Sequence, residues 1–121
     1  MVKINIKRVY VDSVGEPEDG FRIFVDRLWP RGESKAKFHY DLWAKNIAPS
    51  DDLRHWFHEN PDERWNEFEQ RYLDELERSS DATSLVNQII GHDTVTLLYS
   101  SKDEKHNNAV VLKKFLMSKL N

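Results

Sequence analysis

The chain has 121 residues, with 18 basic and 21 acidic side chains, a net charge of −3 and no cysteine. That length suits one domain whose core needs no staples, and the missing cysteine excludes disulfides, thiolate nucleophiles and cysteine metal sites while fitting a reducing cytoplasm. No apolar run approaches the roughly 18 residues of a membrane span, the opening MVKINIKRVY is too polar for a signal peptide, and the charge balance argues against a general nucleic-acid binder.

INIKRVYV predicts a first strand, with Ile4 and Ile6 alternating against Asn5 and Lys7; one wet face makes it an edge strand. DSVGEPEDG is a loop punctuated by Pro and Gly. FRIFV is the second strand, and its consecutive Ile23, Phe24 and Val25 predict burial on both faces, as in a parallel sheet. DRLWPRG follows at once, bringing Asp26, Arg27, Trp29 and Arg31 to the place where an apolar strand stops. RGESKAK is polar loop, and YDLWAKNI predicts a third strand with weaker patterning.

Helices come next. Ser50 caps DDLRHWF, whose Leu53, Trp56 and Phe57 share a face. Asn60 reads as the N-cap of a longer helix, with Pro61 at its first position, Glu63 closing a capping box, and Trp65, Phe68, Tyr72 and Leu76 at helical spacing. Glu67 with Arg71 and Asp74 with Arg78 form its solvated face. ATSLVNQII is a shorter helix ending near Gly91. TVTLLY is the last strand, and after SSKDEKHN a final helix turns Ala109, Leu112, Leu116 and Leu120 inward. The order predicts a single compact α/β domain over residues 1–121, with a mostly parallel four-stranded sheet flanked by helices. About twelve residues between the second and third strands is near the minimum for a parallel crossover, which leaves a partly antiparallel sheet open.

In open α/β sheets ligands bind beyond the carboxyl ends of the strands. The second strand ends in Asp26, Arg27 and Arg31; the fourth ends in Ser100, Ser101, Lys102 and Asp103, followed by His106 and Asn107. If the two strands are parallel and close, both clusters meet at one rim. Ser101 or Asp103 then caps a helix start that attracts anions, and Arg27 or Arg31 grips a phosphate or carboxylate through paired hydrogen bonds. His106 is the proton-transfer candidate, because it titrates near neutrality. Ser100 is a candidate nucleophile without the Gly-x-Ser-x-Gly elbow. Asp26 would orient an arginine, and Trp29, Lys102, Asp103 and Asn107 complete the ligand-binding set. Each residue also has a structural reading: Asp26 and Arg27 as a loop clamp, Trp29 with Pro30 as a plug for the core, Asp103 as a cap, His106 as a solvated first-turn residue. His55 and His58, three apart on a helix, lack a second ligand motif and give no metal site; no Walker loop, Gly-x-Gly-x-x-Gly or zinc pattern is present.

VDRLWPRGESK, DLWAKNIAPSDDLRHWF, RWNEFEQRYLDEL and TLLYSSKDEKHNNA together resemble the YeaO-like family of small bacterial proteins, a domain of unknown function numbered 488, in register over nearly the whole chain. The resemblance implies a compact α/β domain and a bacterial, cytoplasmic protein, and it brings no established reaction. Longer relatives of the wider group carry cysteines around the loop after the last strand, near a His-Arg pair. Here Tyr99 and Ser100 stand in that region and His106-Asn107 stands for the pair, so a thiol mechanism is out of reach.

Three functions compete. The leading expectation is a small enzyme, or an enzyme-derived module, binding an anionic small molecule such as a phosphate ester or nucleotide at the sheet rim, with no cofactor and no membrane. The second is a non-catalytic interaction or regulatory module using the rim or the aromatic region of Trp29, Trp43 and Trp56. The third, nucleic-acid binding through Lys3, Lys7, Arg8 and the C-terminal lysines, has too little net positive charge.

Overall fold

Alternating side chains sort the strand residues onto two differently covered faces of one sheet in a computed structural model that describes residues 2–120. The strands are β1 (Lys3–Arg8), β2 (Phe21–Phe24), β3 (Leu42–Trp43) and β4 (Thr94–Tyr99). They lie in the order β1-β4-β2-β3, and every neighbouring pair is parallel. β4 is therefore central, and Ile23 lies opposite Leu97 in the register that joins it to β2. The parallel alternative holds throughout; no antiparallel pair joins the sheet among the described residues.

One face is buried by helices. Ile4, Ile23, Val25, Val95, Leu97 and Tyr99 pack against α1 (Asp51–Glu59), α2 (Pro61–Glu77), α3 (Ser80–Ile89) and α4 (Asn108–Leu120). The opposite face is covered by a loop instead. Residues 25–41, between β2 and β3, contain no helix; they fold back so that Phe38 packs with Val9, Phe24 and Leu98, bordered by Trp29, Tyr40 and Trp43. A connection this short makes the parallel crossover without a helix, and aromatic rings supply the bulk a helix would have supplied.

The same face holds an ion network. Arg22 is 1% exposed and donates to Asp19 at 2.5 Å and to the carbonyls of His39 and Asp12. Lys7 joins Asp19 at 2.6 Å. Every polar end is paired, which is what makes a buried charge tolerable. Gly20 closes the turn before β2 at φ +64, and a Cβ there would sit 2.2 Å from the Thr94 carbonyl oxygen, so only glycine fits.

Three local expectations change. The third strand shrinks to Leu42–Trp43, because the chain turns into a 3-10 segment at Lys45–Ile47. Asn60 makes no side-chain cap of α2; its amide donates to Glu63 Oε2 at 3.0 Å instead. Arg78 reaches the Asp74 carbonyl rather than its carboxylate, whereas Glu67 and Arg71 do pair. Ser50 and Ser79 are true caps, accepting from the N–H groups of Leu53 and Ala82. Trp56 and Trp65 pack half-buried against the core, with the guanidinium groups of Arg64 and Arg71 over the Trp56 ring. No helix among the described residues is long and apolar enough to cross a membrane.

Candidate functional site

Parallel pairing brings all four carboxyl ends to one rim. From β2 the chain leaves toward β3; from β4 it leaves into α4, which packs on β4 and β1. The two connections diverge, and a crevice between diverging connections is where this architecture binds ligands. A cavity of about 520 Å³ opens there, lined among others by Asp26, Arg27, Trp29, Arg31, Ser100 and Lys102, with His106, Asn107 and Asn108 beside them. The two clusters, whose first members Asp26 and Ser100 are 74 residues apart in sequence, thus face one concave surface. Asp103 is the one member of the sequence-derived set that does not line it.

Asp26 is a clamp. One carboxylate oxygen accepts the backbone N–H and the hydroxyl of Ser100, at 3.0 and 2.5 Å, and the other accepts the Asn108 amide at 3.1 Å. Among the described residues it pairs with no arginine, so it orients the start of the β4–α4 loop instead. Ser100 gives its proton to a carboxylate and not to an imidazole. Trp43 Nε1 donates to the Asp26 carbonyl at 2.7 Å, which fixes the same turn from the aromatic face.

The loop after β4 turns its own side chains onto its N–H groups. Asp103 Oδ1 accepts from Lys105 and His106 at 2.9 and 3.0 Å, and these backbone bonds hold its carboxyl below the usual carboxylate value. Asn107, 3% exposed, accepts the Val110 N–H and donates to the Asp103 carbonyl. The cap of α4 is therefore Asn107, not Ser101 or Asp103, and the N–H groups of Lys105, His106 and Val110 are taken by side chains of the loop itself. His106 rests against the Trp65 ring, centroids 4.8 Å apart, with Nδ1 3.6 Å from Asp103. Arg8 donates to the Ser101 carbonyl at 2.8 Å and steadies the loop from β1.

What remains for an anion is side-chain charge. Arg27 spans toward the carbonyls of Ala48 and Pro49 at 3.4 and 3.3 Å and lies 3.6 Å from Asp51. Among the described residues its Nε is buried without a hydrogen-bond partner, and so is the Nε of Arg54, which also lines the cavity. Asp51 sits 3.4 Å from Arg54 as well, so one exposed carboxylate serves two guanidinium groups. Arg31 and Lys102 have no ion-pair partner among the described residues. Trp29 contributes a ring whose Nε1 is tied to the Glu33 carbonyl at 2.8 Å.

Arg54 is absent from the set expected from sequence, and His58 enters it only beside His55, as a metal pair without a second ligand motif. Arg54 and His58 stand four apart on α1 and so project from one face beside the apolar stripe of Leu53 and Phe57. His58 lines the cavity while His55 does not. Burial first, then the charges of Arg54 and His55, lower the His58 pKa against the pull of Asp26, which keeps its imidazole neutral at pH 7. Among the described residues no group of three or more His, Asp or Glu side chains is placed to hold a metal.

A family profile described as the inactive DUF488-N3 subclade matches residues 3–121. The chain is 40% identical over 117 residues to the uncharacterized protein YeaO of Escherichia coli, covering 97% of this chain and 99% of that protein. It is 37% identical over 114 residues to the uncharacterized protein Rv3073c of Mycobacterium tuberculosis, covering 94% of this chain and 93% of that one. No solved structure matches it.

Proposed function

The chain belongs to the DUF488 family, in the subclade described as inactive, and on that footing we propose that it is an enzyme-derived module that binds an anionic small molecule without transforming it. One observation carries the reading: four cationic side chains from three segments, Arg27 and Arg31 after β2, Arg54 on α1 and Lys102 after β4, line one cavity at the carboxyl end of a parallel sheet. Among the described residues, Arg27 and Arg54 each keep a buried Nε without a hydrogen-bond partner, that of Arg27 with the Asp51 carboxylate 3.6 Å away, so neither guanidinium group is fully satisfied by the protein. The polar groups that would run chemistry are otherwise employed. Asp26 and Ser100 are joined to each other, and Asp103 and Asn107 hold the loop. His106 is left as a hydrogen-bond donor to the ligand rather than a proton carrier. A cysteine-free chain of this kind fits the cytoplasm.

Titration of the wild type with inorganic phosphate and a nucleotide panel, with circular dichroism as the fold control, tests this. Binding that weakens in Lys102→Met and Arg54→Met, and weakens as salt rises, is expected, because exposed charge attraction is screened. No binding at millimolar ligand would turn the assignment to a protein-interaction module.

A further inference from the structure

The chemistry around the cavity narrows what kind of anion fits, granted that the site binds one. Its charge is unbalanced. Arg27, Arg31, Arg54 and Lys102 line it, while the carboxylates set against them are Asp26, already bound by three donors, and Asp51. The excess of two positive charges matches a dianion better than a carboxylate, and a phosphate monoester carries nearly two negative charges at neutral pH because its second pKa is about 6.

The volume is equally telling. About 520 Å³ lies inside the range of small-molecule sites, and a bare oxyanion would leave most of it to water. An apolar stretch of the wall comes from Leu28, Trp29, Ala48, Pro49, Phe57 and Phe68. Phe57 and Phe68 stack on each other with centroids 4.3 Å apart, and Trp29 is braced edge-on by Phe38, Tyr40 and Trp43. Braced rings form a rigid seat for a flat body. Leu28 lies at the mouth with 59% of its surface in water, a large apolar side chain that burial by a ligand would relieve. His58 adds an uncharged imidazole to this wall, suited to a neutral polar group on the body.

We propose that the occupant is an aromatic-bodied phosphate monoester, an aryl phosphate or a nucleoside monophosphate, with its phosphate taken by Arg27, Arg54 and Lys102 and its ring seated between Leu28, Trp29 and the Phe57 wall. The proposal rests on the anion-binding reading above and adds the body to it.

Calorimetric titration at pH 7.5 with phenyl phosphate, a nucleoside monophosphate, inorganic phosphate, glycerol phosphate and benzoate separates the two. Phenyl phosphate or the nucleotide should bind at least tenfold more tightly than inorganic phosphate or glycerol phosphate, which share the head but lack the ring, and than benzoate, which has the ring but one charge. Leu28→Ser, an exposed position, should narrow the gap to inorganic phosphate severalfold while leaving inorganic phosphate within twofold of wild type. Inorganic phosphate binding as tightly as both ring-bearing esters overturns the proposal and leaves the anion site standing. Benzoate matching phenyl phosphate overturns the dianion argument, and a preference untouched by Leu28→Ser overturns the seat. Failure of every ligand to bind overturns the anion reading itself.

Discussion

The carboxylate of Asp26 accepts two hydrogen bonds from Ser100, one from its N–H at 3.0 Å and one from its hydroxyl at 2.5 Å, and so fastens the end of β2 to the end of β4. A third donor, the Asn108 amide, reaches its other oxygen from the first turn of α4. Replacing Asp26 with Ala strands all three donors in a half-buried turn. Hydrogen bonds to a charged group are worth roughly 1.5–3 kcal/mol each, and water reaching the turn recovers part of that, so a loss of about 3 kcal/mol is expected. Chemical denaturation of Asp26→Ala checks it. A midpoint equal to wild type would mean that the carboxylate is free for chemistry.

Helix caps divide cleanly between side chains that accept an N–H and one that does not. Ser79 Oγ accepts the Ala82 N–H at 3.1 Å, so Ser79→Ala should cost about 1 kcal/mol. Asn60 makes no such bond, so Asn60→Ala should cost a few tenths of a kcal/mol, the size of an exposed side-chain pair. Paired thermal melts of the two variants decide the matter, and equal losses would restore Asn60 as a cap.

The strands, the helices and the parallel sheet were legible because each rests on local pattern. Ile23-Phe24-Val25 and Leu97-Leu98-Tyr99 are continuous apolar runs, and a strand apolar on both sides must be covered on both sides. What covers the second face was not legible. Arg22 sits inside the apolar run of β2, and only the fold brings it Asp19 and the carbonyls of residues 12 and 39. The site divides in the same way. Arg27, Arg31 and Lys102 were found from their place after apolar strands, a topological argument. Arg54 was not legible because it lies on a helix whose apolar stripe already explains it, and His58 was legible only as one half of a metal pair with His55 that lacks a second motif. Asp103 was misplaced because capping depends on backbone direction at a loop, which residue type alone does not settle.

His58 links the cavity to pH. Its pKa lies below the ordinary histidine value because burial, Arg54 and His55 disfavour the imidazolium, with Asp26 opposing. The unfolded chain therefore takes up a proton at higher pH than the folded one. Acidification from pH 7 through the ordinary histidine value of about 6.5 should favour unfolding, until the pH falls below the folded pKa and the penalty levels off. His58→Gln has no such proton and should lose less stability across that window. Nuclear magnetic resonance titration of the His58 ring, with and without phosphate, reads the group directly. A bound anion beside it should raise its pKa, and an unchanged titration in saturating phosphate would place the anion away from α1.

Asp51 gives the sharpest test of where an anion sits. Its carboxylate lies 3.6 Å from Arg27 and 3.4 Å from Arg54, so it already occupies the position of a counter-ion to both. Its side chain is 62% exposed, so it is held loosely, and water and salt weaken its hold. A phosphate arriving at the two guanidinium groups competes with it and is repelled by it. Asp51→Asn removes both effects and should tighten phosphate binding severalfold at low salt, with the gain fading as salt is added. Arg54→Met should do the opposite and leave the fold intact, since among the described residues the one side-chain hydrogen bond of Arg54 is the exposed contact with Asp51. Arg27→Met should weaken binding and also lower the melting temperature, because Arg27 additionally holds the carbonyls of Ala48 and Pro49 before α1. If Asp51→Asn instead weakens binding, the carboxylate is positioning the arginines rather than masking them, and the phosphate must approach from the Lys102 side.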